Sequence, residues 1–185
     1  MSGTDILTVL KAQSGDRTAM AVLLREMQQP LLRYASRLTA RPDLAADITQ
    51  EALLQVHRKL GTLSDARLFR AWCYRIASRE AFRRLRRERP HMHASLEEAE
   101  HAALAAEDVS PLDALERAQL PKLLDNLSPA SRAVLVLHFL EDMKLRDITE
   151  VLGLSLGTVK SRLAYGLRTL RQRMADPDLK REDTP

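Results

Sequence analysis

The chain has 185 residues, 45% of them apolar and only 4% aromatic, with 6 glycines and 8 prolines. That suffices for one domain or two small ones and argues for helices, because Gly, Pro and β-branched runs are too few for a β-sandwich or barrel. The net charge of +4 conceals blocks: residues 1–89 carry 17 Lys/Arg against 9 Asp/Glu, residues 90–118 carry 1 against 7, and residues 119–185 carry 11 against 9, so two basic pieces joined by an acidic strip could meet polyanions at two places.

Residues 4–13 predict a short amphipathic helix capped near Thr4 or Asp5. Gly15 and Asp16 break it, and Asp16 is placed to cap a helix from about Arg17 to Thr39. Met20, Leu23, Leu24, Met27, Leu31, Leu32 and Leu38 form its apolar side. Pro30 in its interior predicts a kink or a break. Pro42 and Asp43 open a helix over 43–60, with Leu44, Ile48, Leu53, Val56 and Leu60 as the core stripe. Its other side shows Asp47, Gln50 and Glu51, an acidic surface within a basic piece.

Gly61 to Asp65 is a turn, and Asp65 can cap a long helix over 66–88, with Leu68, Phe69, Trp72, Ile76 and Leu85 as apolar mass. Arg75, Arg79 and Arg83 step by four and share a face; Arg84, Arg86, Arg87 and Arg89 thicken its basic end. Basic groups beside Trp72, Phe69, Tyr74 and Phe82 suit single-stranded nucleic acid; a merely solvated charged face is the alternative. Pro90 ends the helix. Residues 90–111 predict a flexible acidic linker, and its His91, His93 and His101 do not match zinc spacing, so no metal is expected.

The helical pattern resumes with Leu112, Leu115, Leu120, Leu123, Leu124 and Leu127, and Ser128 is set to cap a helix opening at Pro129. Next, Leu145, Ile148, Val151 and Leu152 make a short amphipathic helix that Gly153 stops; Leu154 follows as an apolar peg, and Ser155 can cap a second helix. There Val159, Leu163, Leu167 and Leu170 face a core, while Thr158, Lys160, Ser161, Arg162 and Tyr165 turn away from it. This is a helix-turn-helix, whose second helix would enter a major groove. An αα-hairpin that only packs is the alternative. The tail over 175–185 is expected to be disordered.

Cys73 is the sole cysteine, so no internal disulfide forms and a reducing compartment is expected; in its apolar helix it should be buried. No signal peptide and no apolar run of the ~20 residues needed to span a bilayer is visible. A protein without membrane insertion, in the cytoplasm, is expected. No phosphate loop, metal-ligand pair or activated nucleophile is present, so neither an enzyme nor a cofactor is expected.

Taken together, the chain resembles a bacterial sigma-70-family factor of the extracytoplasmic-function (ECF) group. The motifs are Leu44–Leu60, Phe69–Ala77, Leu127–Leu135 and Gly157–Leu163, in that order. The resemblance implies an all-α fold: a region 2-like domain over 1–89, the acidic linker over 90–111, and a region 4-like helix-turn-helix domain over 112–174. It implies that Asp47, Gln50 and Glu51 bind core RNA polymerase at the β′ clamp helices. It implies that Trp72, Arg75, Arg79, Arg83, Arg84 and Arg86 serve the promoter −10 element, with a flipped base held near Gly61 to Arg67. The −35 element falls to Thr158, Lys160, Ser161, Arg162 and Tyr165. An anti-sigma partner is also implied. Arg79 stands where many relatives have an Asn that helps read the flipped −10 base, so either guanine contact or simply more phosphate binding is expected there; Arg83 stands where an acid is common. His57 replaces a common Trp, a change of packing. Thr149 takes a tight position usually held by Ala, so a small spacing adjustment is expected. A helix-turn-helix regulator acting without polymerase is the rival reading, but it leaves the acidic face and the Trp-Arg helix unexplained.

Overall fold

A computed structural model describes residues 5–88, 123, 124 and 127–175. The expectations for the linker, for most of the helix after Pro111 and for the tail past residue 175 lie outside these residues; Ala175, the first residue of the expected disordered tail, is still helical. All regular structure among the described residues is helical, and the chain separates into two compact units.

The first unit contains α1 (Ile6–Gln13), α2 (Arg17–Thr39), α3 (Pro42–Lys59) and α4 (Phe69–Glu88). Local chemistry sets its helix starts. Asp5 accepts from the Leu7 N–H at 3.1 Å, and Asp16 accepts from Thr18 at 2.8 Å and Ala19 at 3.1 Å, satisfying N–H donors that a helix start leaves unpaired. α2 runs through Pro30 without a break. An interior proline costs a helix about 3 kcal/mol; here Leu23 and Met27 before it and Leu31, Tyr34 and Leu38 after it are all buried, and their burial offsets that cost.

α2 packs on α1, α3 and α4, and α3 packs on α4. Tyr34 and Tyr74 meet edge-to-face, with ring centroids 5.3 Å apart. The Ser78 hydroxyl donates to the Tyr74 carbonyl at 2.7 Å, so Tyr34 donates to Ser78 Oγ, also at 2.7 Å. Gln13 Nε2 donates to the carbonyls of Leu60 and Leu63, tying α1 to the turn after α3. Two core expectations change here. The segment after Asp65 begins as a 3-10 turn, Ala66–Leu68, and Leu68 is 52% exposed. Phe69 and Tyr74 are fully enclosed, so neither can stack on a base; Trp72 and Phe82 keep partial exposure. Cys73 is buried, and burial pushes its thiol far above the usual range.

The remaining helices are α5 (Pro129–Leu135), which continues as a wide π-type turn over Val136–Leu140, then α6 (Leu145–Leu152) and α7 (Leu156–Ala175); α5, α7 and the start of α6 through Thr149 belong to the second unit. Ser128 Oγ accepts from the Ser131 N–H at 3.2 Å, with Pro129 in the first helical position. α5 lies against α7, and Val134, Leu135, Leu137, Val159, Leu163, Leu167 and Leu170 are buried. The approach is close at Gly166, where a β-carbon would stand 2.7 Å from Leu135 Cδ1.

Candidate nucleic-acid and polymerase interfaces

Helical spacing puts Trp72, Arg75, Ile76, Arg79, Glu80 and Arg83 along one side of α4. With Gln55, Lys59 and Thr62 from the end of α3 and its following turn, they line a cleft of about 390 Å³. Trp72 is half-buried and lies 6.5 Å from the Phe69 ring, which holds its indole at the cleft wall. Arg79 is exposed and Arg75 half-exposed, and neither has an ion-pair partner among the described residues. Such a recess, with a partly open indole and cations, can take a flat base and its phosphates. Sequence reasoning missed Gln55, Lys59 and Thr62, because only the packing of α3 on α4 makes them the opposite wall.

The basic end of α4 is more divided than expected. Arg83 and Arg84 both turn to Glu80, at 2.6 Å and 2.7 Å. Burial alone would raise the Glu80 carboxyl; the hydrogen bonds and charges of Arg83 and Arg84 outweigh it and hold the group below its ordinary range. Arg84 also reaches Asp47 on α3 at 3.1 Å, so one residue expected at polymerase and one expected at DNA meet in an ion pair. Arg86 is exposed. The i, i+3, i+4 pattern of Glu80, Arg83 and Arg84 was a legible signal for this cluster.

On α3, Asp47 and Gln50 are exposed and Glu51 is half-buried, accepting from Gln55 Nε2 at 3.2 Å. Leu54, 49% exposed, extends the same stripe one turn further. It gives the acidic surface an apolar centre that sequence reasoning did not include. His57 is exposed beside the α1–α2 turn and fills no core position.

In the turn between α6 and α7, Gly153 has φ 68°, the left-handed conformation that glycine adopts without a Cβ penalty. The Leu154 N–H bonds the Thr149 carbonyl at 3.1 Å and closes the turn, while Thr149 Oγ1 donates to the Arg146 carbonyl at 2.6 Å. Thr149 therefore fits by bonding its own helix. Ser155 Oγ accepts from the Thr158 N–H at 3.1 Å and pairs with Thr158 Oγ1 at 2.8 Å, and Ser161 Oγ donates to Gly157.

Thr158, Ser161, Arg162 and Tyr165 follow i, i+3, i+4, i+7 and form one stripe. Lys160 stands apart from it, since two residues of helix rotate it by about 200°; it is exposed, whereas the four stripe residues are half-buried. Arg162 Nε is enclosed without a partner among the described residues. The Arg168 guanidinium lies 6.0 Å from the Tyr165 ring centroid, at the outer reach of a cation–π contact. The helix-turn-helix thus presents one compact half-buried stripe and a flanking, exposed lysine.

Among the described residues no cluster of three metal-ligating side chains occurs, and no helix is long and apolar enough to cross a membrane. His91, His93 and His101 lie outside them.

Residues 23–91 match the family model for Sigma-70 region 2, and residues 123–172 match that for Sigma-70, region 4. The chain is similar to the ECF RNA polymerase sigma factor SigW of Bacillus subtilis, 26% identical over 178 residues that cover 91% of this chain and 95% of that protein. It is 34% identical to the ECF RNA polymerase sigma factor SigM of Mycobacterium tuberculosis over 152 residues, which cover 82% of this chain and 74% of SigM. Its fold is like that of the sigma factor RpoE of Bartonella quintana, solved with the anti-sigma factor NepR: TM-score 0.62, 19% identity, 87% of this chain and 97% of that one. Two helical units built as regions 2 and 4, and relatives matched along most of both chains, lead to one assignment: this chain belongs to the sigma-70 family of RNA polymerase sigma factors, in its ECF group.

Proposed function

We propose that this sigma factor docks on core RNA polymerase through α3, reads promoter duplex through α7, and captures the separated −10 strand in the cleft beside α4. The observation that carries the reading is that cleft, where Trp72, Arg75 and Arg79 stand together. Extruding a base costs a few kcal/mol. Stacking on an aromatic ring returns about 1–3 kcal/mol per base, and phosphate contacts add to it.

On α3, exposed Asp47 and Gln50, with Glu51 and Leu54 along the same stripe, suit a basic helical partner with an apolar spot; the β′ clamp helices are the proposed partner. On α7, Thr158, Ser161, Arg162 and Tyr165 are assigned to base edges of the −35 duplex and Lys160 to a flanking phosphate. Arg86 is assigned to a −10 phosphate. Arg83 and Arg84 are assigned to an internal ion-pair cluster with Glu80 and not to a strand phosphate. The domains are placed at 1–89 and 112–174, with the acidic stretch between them passing through polymerase. By extension from the RpoE–NepR complex, an anti-sigma protein is proposed to cover these surfaces until a signal releases them. The proposed regulon is a specialised stress or envelope response.

In vitro transcription with core polymerase and fragmented genomic DNA tests the reading and yields the promoter. On that promoter, Arg79→Ala should leave closed complexes intact and depress permanganate reactivity of −10 thymines. A preformed bubble should restore much of the activity. Loss of duplex binding without rescue would refute a role after strand separation.

A further inference from the structure

Between Arg75 and Arg87, α4 carries six arginines and one acid, Glu80. The Glu80 side chain is only 2% exposed, so it cannot meet a base or phosphate itself. Its contacts are to guanidinium groups. Arg83 closes on it as a fork, with Nε to Oε2 at 2.9 Å and Nη2 to Oε1 at 2.6 Å and to Oε2 at 2.8 Å. Arg84 Nε donates to Oε1 at 2.7 Å, and its Nη1 reaches Asp47 Oδ2 at 3.1 Å. These four charged groups cancel. Opening the fork would strand a buried carboxylate, which is far more costly than one exposed phosphate contact is favourable. Arg75 and Arg79, on the same cleft, carry no such restraint.

We infer that Glu80 is a specificity-determining positioning residue: it neutralises and fixes Arg83 and Arg84, confining single-strand capture to Trp72, Arg75 and Arg79. The inference rests on the cleft being the strand-capture site. Its physical content is a subtraction. Two more free arginines would strengthen attraction to any single strand, because phosphate contact carries no sequence information. With both sequestered, base stacking at Trp72 makes up a larger share of the binding free energy, and discrimination between strands improves.

The test uses the full-length chain and two short fluorescein-labelled single strands, one carrying the −10 sequence and one scrambled, followed by anisotropy across a salt series. Arg79→Ala should weaken binding and flatten the log–log salt slope by about 0.7, the value for one single-strand phosphate. If it changes nothing, the cleft reading itself fails. Where Arg79 does matter, Glu80→Gln should tighten binding to the scrambled strand at low salt. It should steepen the slope by about 0.7 for each arginine released, and narrow the preference for the −10 strand. An unchanged or flatter slope would overturn the role of Glu80 and leave the cleft reading standing. The triple variant Glu80→Gln/Arg83→Gln/Arg84→Gln removes Glu80 together with both arginines it holds, leaving only the exposed Asp47 carboxylate, and should keep the wild-type slope. A triple-variant slope flatter by about 0.7 or more would mean that these arginines touch the strand in the native protein. That result overturns the proposal even if Glu80→Gln alone fails to fold.

Discussion

Gly166→Ala adds one methyl group where α7 crosses α5. The new Cβ would stand 2.7 Å from Leu135 Cδ1 and 3.2 Å from its Cγ, and Leu135 is wholly buried with no solvent into which to retreat. Overpacking of this kind costs about 1–3 kcal/mol. Replacing glycine by alanine within a helix gains about 1 kcal/mol. The net expectation is a loss of about 1 kcal/mol, within a span of about 0–2 kcal/mol. Hydrogen exchange read by mass spectrometry localises the effect. Peptides from α5 and α7 should lose about fivefold in protection for each 1 kcal/mol, and peptides from α2 and α3 serve as internal controls. In a Leu135→Ala background the obstructing atoms are gone, so the same substitution should raise protection instead. The sign reversal measures the contact as a coupling of about 1–3 kcal/mol. If Gly166→Ala slowed exchange in the wild-type background, the close approach of the two helices would be refuted.

Reversing Asp47 and Glu51 to Lys should lower affinity for core polymerase by at least about tenfold, since like charges set against a complementary surface cost several kcal/mol; Arg84→Gln, which removes the internal ion pairs to Asp47 and Glu80 and leaves the acidic stripe itself in place, should not, and pull-down of core measures both. On the −35 duplex, Arg162→Ala should cost about 1–3 kcal/mol and relax preference at one position. Lys160→Ala should weaken all sequences alike and reduce the salt slope by about 0.9, both read by holoenzyme gel shift. Glu80 has a folded pKa below its ordinary value of 4.5, so its stabilising contribution is present above that pH and is lost as pH falls through the lowered value. Thermal melts in acid should therefore show a shallower decline for Glu80→Gln than for the wild type, and parallel curves would contradict the ion-paired state.

Local rules sufficed wherever one residue acts on its own neighbours. Asp16, Ser128 and Ser155 cap because a side-chain oxygen next to a helix start finds unpaired N–H groups, whatever the rest of the fold does. Gly153 ends α6 because only glycine takes that backbone freely. The four-residue spacing of Arg75, Arg79 and Arg83 put them on one side of α4 before any packing was known. Other features needed a second element to exist. Pro30 signals a kink or a break locally, yet α2 runs through it unbroken, with its face buried on both sides. Tyr74 and Phe69 read as stacking platforms until α2 and its neighbours enclose them. Lys59 and Thr62 become cleft residues only because α3 lies against α4, and Arg84 finds Asp47 across 37 residues of sequence for the same reason. Caps and periodicity depend on short-range geometry that the chain carries everywhere. Enclosure, ion-pair choice and clefts depend on which surfaces meet, and that is settled by the burial of the whole core.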